Sequence, residues 1–159
     1  MKTIELTQGY VATVDDEDYD LVASYKWCAS KNGKNNIYAK RESYGKKIYM
    51  HREILGLSCR ERIDHIDGNG LNNTRENLRM SDAKQNGMNR GKQSNNTSGY
   101  KGVVLQKKCN RWQAQLTWRE NGRRKNIYLG LYATPQEAAI AYNRAAIEMH
   151  GEFAKVNDL

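Results

Sequence analysis

A run of polar residues, Asn89-Arg-Gly-Lys-Gln-Ser-Asn-Asn-Thr-Ser-Gly99, interrupts the chain beyond its midpoint. It contains no apolar side chain that could be buried, so it favours an exposed linker. The segments on either side differ in charge: residues 1–92 carry a net +3 and residues 93–159 carry a net +5. We therefore predict two modules, residues 1–90 and 98–159, joined by a linker at 91–97.

The basic composition limits the partners of the chain. The net charge is +8 and the pI is about 9.4, a balance that favours nucleic acid or an anionic surface. No run of 18 apolar residues occurs, and the N-terminus lacks the apolar segment of a signal peptide, so we expect neither a spanning helix nor secretion. Cys28, Cys59 and Cys109 form no C-x-x-C pair, so we expect neither a disulfide framework nor structural zinc.

Short strands and helices are predicted throughout the first module. The predicted elements are strands over Thr3–Thr7 and Tyr10–Val14, a helix over Asp18–Tyr25 capped by Asp15 or Asp16, a hairpin of Asn36–Glu42 and Lys46–Arg52, a strand over Arg62–Ile66, a short helix from Arg75 capped by Thr74, and a helix over Ala83–Asn89. In this arrangement the Asp64-His65 pair lies near the end of a strand, and two later asparagines lie on or beside helices.

Asp64 and His65, in the stretch Arg62-Ile-Asp-His-Ile-Asp-Gly-Asn69, are followed by Asn77 and Asn86. Hydrolysis of a phosphodiester requires a base that activates water and a cation that holds developing negative charge. An unperturbed histidine has a pKa of about 6.5 and can accept a proton near neutral pH, so His65 can be that base. The Asp64 carboxylate and the Asn86 amide oxygen are hard donors that suit one Mg²⁺ or Mn²⁺ ion.

Strand geometry sets a condition on the Asp64-His65 pair. Adjacent residues of a regular strand face opposite sides, so the two can share a site only where the strand ends or bulges. The turn signal Asp67-Gly-Asn-Gly70 allows such a departure. The alternative is an ordinary ion pair at a strand end, with the nearby asparagines acting as turn and cap residues, namely Asn72, Asn73, Asn77 and Asn86.

Residues 48–89 resemble the HNH family, specifically its phage-type branch with a ββα-metal fold. The matching stretches are YMHREILGL, IDHIDGNGLNNTRENLRM and KQNGMNR. The resemblance implies that Asp64 and Asn86 bind the metal, that His65 is the general base, and that Asn77 braces the loop. Asn86 stands where many members have histidine, which implies a loosely bound ion. His51 also matches the branch and either contacts phosphate or packs.

The second module carries a clearer pattern. Alternation predicts strands over Tyr100–Gln106, Arg111–Arg119 and Lys125–Tyr132, with turns at Lys107–Asn110 and Glu120–Gly122. Thr134-Pro-Gln-Glu137 supplies an N-cap, a proline at the first helical position and an acid at the third. The helix should run to about His150 and end at Gly151. Its alanines let it lie close on the sheet.

One face of this predicted sheet has no helix against it. Residues 101–125 contain eight basic side chains and one acid, Glu120. Alternation assigns Val103, Ala114, Leu116, Ile127 and Leu129 to the core and leaves amides on the other face, among them Gln113 or its neighbours. Glutamine and asparagine can pair with adenine edges in the major groove, and basic turn residues can bind phosphates. A merely solvated sheet face is the alternative.

Residues 98–157 resemble the plant apetala/ethylene-response-factor (AP2/ERF) DNA-binding domain, a three-stranded antiparallel sheet on one helix that enters the major groove. The matching motifs are YKGV, RWQAQL, YLGLY and TPQEAAIAYNRAA. The plant domains have arginines and a tryptophan where this chain has Gln, Thr, Asn and Tyr, so a preference for G·C-rich sites does not transfer. The resulting candidates for DNA contact are Lys101, Gly102, Gln106, Lys108, Arg111, Gln115, Thr117, Asn126 and Tyr128.

Together these patterns predict an α+β protein with an N-terminal ββα-metal HNH module and a C-terminal three-stranded antiparallel sheet packed on one helix. The predicted function is a metal-dependent DNA endonuclease of the phage or homing type. We expect it to act on double-stranded DNA as a monomer or weak dimer in the cytoplasm of a bacterial or phage-infected host cell. A catalytically inactive DNA-binding regulator and an RNA-directed or structure-specific nuclease are the alternatives. Arg75 and Arg79 either contact phosphate or form ion pairs, and His150 is expected to be structural.

Overall fold

The computed structural model describes residues 1–32, 36–120 and 122–159. Within these residues the protein is a mixed α/β structure with several antiparallel sheets and few helices. The chain divides into two compact units, Met1–Ser81 and Asp82–Leu159. The domain boundaries that we derived from the sequence, including the linker at 91–97, stay predictions.

The first unit contains three small antiparallel sheets among its described residues. One sheet pairs β1 (Lys2–Glu5) with β2 (Val11–Val14), the second has β4 (Asn36–Ser43) between β3 (Cys28–Asn32) and β5 (Lys46–Tyr49), and the third pairs β6 (Ile63–His65) with β7 (Leu78–Met80). The helices are α1 (Tyr19–Ala23) and α2 (Met50–Leu55). In β6 and β7, Asp64 lies opposite Arg79 and His65 lies opposite Leu78.

The core of the first unit forms around Trp27, which is buried and donates its indole N–H to the carbonyl oxygen of Val22 at 2.9 Å. Burial of apolar area is the main favourable term, and the indole bond avoids leaving a polar group unsatisfied. The other buried members of this core are Ile4, Leu6, Ala12, Val14, Val22, Ala39, Met50, Ile54 and Leu78.

The second unit begins with α3 (Ala83–Met88) and continues with a sheet in the order β10-β9-β8, formed by β8 (Val103–Gln106), β9 (Arg111–Glu120) and β10 (Arg123–Tyr132). Helix α4 (Pro135–His150) packs on one face of this sheet. Its small side chains Ala138 and Ala139 contact Val103 and Ala114. Tyr142 and Ala146 contact Leu116.

Most predicted elements of the second unit are confirmed, including the capping box of α4 between Thr134 and Glu137. Residues 100–102 are a correction, because they form a turn in which the Asn96 and Ser98 side chains bind the Tyr100 carbonyl. Ile127 is a second correction, because it is 36% exposed. The predicted turn at Glu120–Gly122 includes Asn121, which lies outside the described residues.

The first unit differs more from the sequence-based expectation. Residues 50–52 begin α2 rather than extend the hairpin. Helix α1 has Asp18 at its N-cap position without a side-chain cap bond, while the Asp15 carboxylate accepts the Arg75 backbone N–H at 2.7 Å. Strands β3 and β7 are additions to the elements that were predicted from the sequence. No helix in the described ranges is both long and apolar enough to cross a bilayer.

Candidate functional site

Strand β6 ends at His65, so Asp64 and His65 are the last two residues of the strand. The Gly68 N–H donates to the His65 carbonyl at 2.9 Å, and the Ile66 N–H donates to the Asn77 carbonyl at 2.9 Å. The first of these bonds closes a turn directly after the histidine, and the second continues the pairing of β6 with β7 by one residue. Both side chains of the pair are buried, with Asp64 7% and His65 5% exposed.

The His65 imidazole lies in a cluster of four rings. The His51 ring meets it edge-on with 5.1 Å between centroids, and the Tyr38 ring lies 5.7 Å away. Tyr49 stacks on His51 at 5.5 Å with an interplanar angle of 20°. Gly70 makes room for this cluster, because a Cβ at that position would come within 2.6 Å of the Tyr38 ring. The imidazole of His65 is therefore held by packing on more than one side.

Burial keeps both histidines of this cluster uncharged at neutral pH. It lowers the pKa of His65, against the opposing effects of a bond to Asn73 and the charges of Asp67 and Asp64. Burial, followed by the nearby His65 and Arg52, lowers the pKa of His51 to about 3. Burial and the Asp64 charge raise the pKa of Tyr38, so Tyr38 lies near both members of the Asp64-His65 pair.

Asn73 is a partner of His65 that the sequence analysis did not single out. Its side chain is fully buried, and its Oδ1 lies 3.4 Å from the His65 Nε2. The Asn73 backbone N–H donates to the Thr13 carbonyl at 2.8 Å, which attaches this asparagine to β2. The doublet Asn72-Asn73 was a turn signal in the sequence, and nothing in its spacing indicated contact with an imidazole.

Asn77 braces the loop between β6 and β7. Its Oδ1 accepts the Asp67 N–H at 3.0 Å. Its Nδ2 donates to the Asp67 carboxylate at 3.0 Å and to the Asn72 carbonyl at 2.8 Å. Asn72 also donates to the Asp67 carboxylate at 2.9 Å. Three side chains thus close the loop that follows His65, and each satisfies a polar group of another.

Arg79 and Arg75 both form ion pairs within the first unit. Arg79 donates through Nε and Nη2 to Oδ2 of Asp64 at 3.1 and 2.9 Å, and both side chains are largely buried. Arg75 binds both carboxylate oxygens of Asp18 at 2.7 and 2.8 Å. The sequence left open whether these arginines contact phosphate or form ion pairs. In the structure both of them form ion pairs.

The predicted ligands Asp64 and Asn86 offer carboxylate and amide oxygens, the donors that a hard cation prefers. Across residues 1–32, 36–120 and 122–159, no group of three or more His, Cys, Asp or Glu side chains could hold a metal. Asp64 offers a buried carboxylate in the first unit. Asn86, the other predicted ligand, is half-buried on α3 and belongs to the second unit. A pocket of about 200 Å³ opens beside His51, lined by Asn32, Tyr38, Tyr49, His51, Arg52 and Ile63.

Most candidate DNA-contacting residues lie on the face of the second sheet that is remote from α4. In β9, Ala114 and Leu116 are buried against α4, so the alternate residues point the other way. The strand register places Gln106 opposite Arg111, Asn126 opposite Thr117, and Tyr128 opposite Gln115. This face therefore carries Gln106, Arg111, Gln115, Thr117, Asn126 and Tyr128. Lys108 is exposed in the turn between β8 and β9.

Lys101 and Gly102 have partners within the second unit. The Lys101 ammonium donates to the Met88 carbonyl at 2.7 Å, and burial lowers its pKa to about 8. Gly102 has φ +76°, and a Cβ there would overlap the Tyr142 ring. His150 is buried at the end of α4, and its two ring nitrogens have no hydrogen-bond partner among the described residues.

Comparison with known proteins identifies relatives for both parts of the chain. The chain is 35% identical over 161 residues to an "uncharacterized HNH endonuclease" of Acanthamoeba polyphaga mimivirus, an alignment that covers 96% of this chain and 77% of that protein. It is 34% identical over 96 residues to Protein 3.8 of Escherichia phage T7, covering 58% of this chain and 73% of that protein.

Plant proteins match a shorter stretch. An AP2-like ethylene-responsive transcription factor of Arabidopsis thaliana is 43% identical over 77 residues, which is 46% of this chain and 19% of that protein. The AP2 domain family model matches residues 98–152. No solved structure gives a significant match. The chain belongs to the HNH endonuclease family and carries an AP2 domain at residues 98–152.

Proposed function

We propose that this protein is a metal-dependent DNA endonuclease. Its AP2 domain binds double-stranded DNA and thereby brings the active site of the enzyme to the DNA. The observation that carries the proposal is the buried His65, which follows Asp64 at the end of β6 and is held by Asn73 and the rings of His51 and Tyr38. A neutral imidazole next to a carboxylate is what base-activated, cation-assisted phosphodiester hydrolysis requires. The proposed ββα-metal module would take β6 and β7 as its strands and α3 as the helix that follows them in the sequence.

His65 would take the proton of the attacking water. Its Nε2 lies 3.4 Å from Asn73 Oδ1, an atom that can only accept a hydrogen bond. A proton on Nε2 directed to Asn73 makes Nδ1 the nitrogen that accepts a proton. The rings of His51 and Tyr38 hold the imidazole plane. The lowered pKa keeps His65 unprotonated, and therefore able to act as a base, at neutral pH.

Asp64 would hold one Mg²⁺ or Mn²⁺ ion, for which the resemblance to the HNH family implies Asn86 as the second ligand. Two oxygen ligands from the protein leave coordination positions for water and phosphate, as is usual for a catalytic Mg²⁺ site. When bound, the ion would stabilise negative charge on the phosphate oxygens. Asn77 would act as a positioning residue, because its amide bonds fix the loop after His65. His51 would line the approach of the phosphate from the adjoining pocket.

The two modules would have the separate roles that we predicted from the sequence. Residues 1–90 would cut DNA, residues 98–159 would bind it, and residues 91–97 would link the two modules. One chain carries one Asp64-His65 pair, so a monomer should cut one strand per event. The net charge of +5 on residues 93–159 favours association with phosphates.

Supercoiled plasmid incubated with Mg²⁺ or Mn²⁺ tests the proposal. We expect the wild-type protein to produce nicked circles and a chelator to stop the reaction. His65→Ala should slow it by about 10²-fold or more, as expected for loss of a general base. Glu76→Gln is a matched control, because Glu76 is exposed in the same connection between β6 and β7, and it should cut at the wild-type rate.

Three outcomes would change the assignment. Equal cutting by wild type and His65→Ala would remove His65 from the mechanism. Tight binding to duplex DNA without cutting, in any metal, would make the protein a regulator. Cutting of RNA in preference to duplex DNA would replace the DNA substrate.

A further inference from the structure

The open face of the second sheet carries a connected row of side-chain amides. Gln106 Nε2 donates to Gln113 Oε1 at 2.7 Å, and Gln113 Nε2 donates to Gln115 Oε1 at 3.2 Å. Asn126 Nδ2 donates to the same Gln115 oxygen at 3.4 Å. We call these four residues, Gln106, Gln113, Gln115 and Asn126, the amide row. The bonds link all three strands and restrict the rotamers of the amides before any ligand arrives.

Each amide keeps the capacity for further bonds. A carboxamide has two N–H donors and a carbonyl oxygen with two lone pairs. Gln113 uses one donor and one lone pair within the row, which leaves one of each for a ligand. A ligand that fits this pattern presents a donor and an acceptor side by side.

Apolar side chains flank the amide row on the same face. Val104 and Leu131 lie opposite Gln113 on the two neighbouring strands and are 44% and 39% exposed. Tyr128 lies opposite Gln115 and is also exposed. Solvent-exposed aliphatic residues on both sides of a glutamine favour a ligand that has a methyl group next to its hydrogen-bonding edge.

An A·T base pair in the major groove has these features. Adenine presents the N7 acceptor beside the N6 amino donor, and thymine presents its C5 methyl group. Guanine presents two acceptors, O6 and N7, which call for the two donors of an arginine or lysine rather than for an amide. The arginines of this face lie at the ends of its strands: Arg111 at the start of β9, and Arg119 and Arg124 opposite each other near the far end.

We propose that the amide row reads A·T base pairs in the major groove of duplex DNA. Gln113, which keeps one donor and one lone pair, pairs with an adenine, while Val104 and Leu131 contact thymine methyl groups. Arg111, Arg119 and Arg124 bind phosphates on either side and set the register. The inference rests on the proposed function in one respect, namely that duplex DNA is the partner of this domain.

Selection of bound duplexes from a randomised pool tests the inference directly. The intact chain is used with divalent cations chelated, so that binding is measured without cutting. We expect recovered duplexes to share a short A·T run. Replacing one A·T pair of that run by G·C should weaken binding by roughly tenfold, the usual discrimination of a bidentate contact.

Modified bases separate the two kinds of contact. 7-Deazaadenine removes the N7 acceptor and should weaken binding where Gln113 reads adenine. Uracil in place of thymine removes the methyl group and should weaken binding in the wild type more than in Val104→Ala. Gln113→Arg should shift the preference at one position from adenine to guanine. Lys108→Ala, in the turn, is the matched control and should weaken all duplexes to a similar extent.

The outcomes distinguish this inference from the function on which it rests. Failure to bind any duplex above a polyanion competitor would overturn both the DNA-binding role and the base preference. Duplex binding with a G·C-rich consensus, or with no consensus, would overturn the A·T inference and leave the proposed function intact. The same holds if Gln113→Arg leaves the recovered consensus unchanged.

Discussion

Arg79 neutralises the carboxylate that we propose as a metal ligand, so a bound cation would compete with it for Asp64. Breaking a largely buried ion pair from one side leaves an uncompensated charge, which costs about 3–5 kcal/mol. We therefore expect Arg79→Met to lower the free energy of unfolding by that order in a chelator. Mn²⁺ should then raise the melting temperature of Arg79→Met more than that of the wild type, because the ion replaces the missing positive charge.

The double variant Asp64→Asn with Arg79→Met is the control for this effect. It removes both charges at once, so it should be more stable in chelator than Arg79→Met alone and should respond little to Mn²⁺. Thermal unfolding of the three proteins with and without Mn²⁺ gives the comparison. An equal metal-induced shift in Arg79→Met and in the double variant would show that the ion binds away from Asp64.

His51 makes the stability of the first unit depend on pH. Its pKa is about 3 in the folded protein and about 6.5 in an unfolded chain. As the pH falls below 6.5, His51 is protonated in the unfolded chain but stays neutral in the folded protein. The free energy of unfolding therefore decreases as the pH falls towards 3. This one group contributes a slope of at most about 1.4 kcal/mol per pH unit.

His51→Phe should reduce that slope, because phenylalanine keeps a ring against Tyr49 and does not titrate. It should also cost little at pH 7, since the Nδ1 of His51 is buried without a hydrogen-bond partner. Urea unfolding at several pH values between 4 and 7 measures the slope. Tyr49→Phe changes the neighbouring ring without removing the histidine and should keep the wild-type slope. Identical slopes in His51→Phe and wild type would refute the assignment.

At this scale the sequence predicted which residues are chemically suited to the site but not what surrounds them. The spacing of Asp64, His65 and Asn77 was sufficient to identify a candidate site. It contained no information on Asn73 or Tyr38, because contacts between an imidazole and residues from other strands depend on how the sheets pack. The pairing of Asp64 with Arg79 depends in the same way on the register of β6 and β7.

At the scale of elements, Gly102 controls how closely β8 approaches α4. A Cβ there would overlap the Tyr142 ring and come within 2.6 Å of the Gln115 carbonyl oxygen, and φ is +76°. We expect Gly102→Ala to combine a backbone cost of about 1–2 kcal/mol with an overpacking cost of about 1–3 kcal/mol. Gly99→Ala is the matched control, because Gly99 has φ +83° and open space around it. Equal losses of melting temperature in the two variants would contradict the packing role.

Local signals predicted the elements that local chemistry determines. The cap of α4 lies within Thr134–Glu137, and the alternation of β9 lies within its own residues, so both could be predicted. Strand β3 has the sequence CASKN, which contains no β-branched or aromatic residue, and it forms because it pairs with β4. Ile127 lies opposite the buried Leu116 and is nevertheless 36% exposed, so alternation along a strand does not by itself determine burial.

At the scale of the whole chain, α3 belongs to the second unit although it precedes the matched AP2 domain. Helix α3 contacts β9, its Met88 is buried, and the Met88 carbonyl accepts the Lys101 ammonium at 2.7 Å. A fragment of residues 98–159 loses these contacts, whereas a fragment of residues 82–159 keeps them. We therefore expect 82–159 to be the more stable fragment, by about the 1.5–3 kcal/mol that one buried methionine contributes.

Thermal unfolding and duplex binding of the two fragments test this prediction. Both should bind the duplex selected by the intact chain, because both contain the amide row, and neither should cut it, because both lack His65. Lys101→Met in the 82–159 fragment is the control, since it removes the bond to Met88 and keeps most of the side-chain packing. It should fall between the two fragments in stability. If 98–159 melts at the same temperature as 82–159, then α3 contributes nothing to the AP2 domain, and the linker at 91–97 becomes the better boundary.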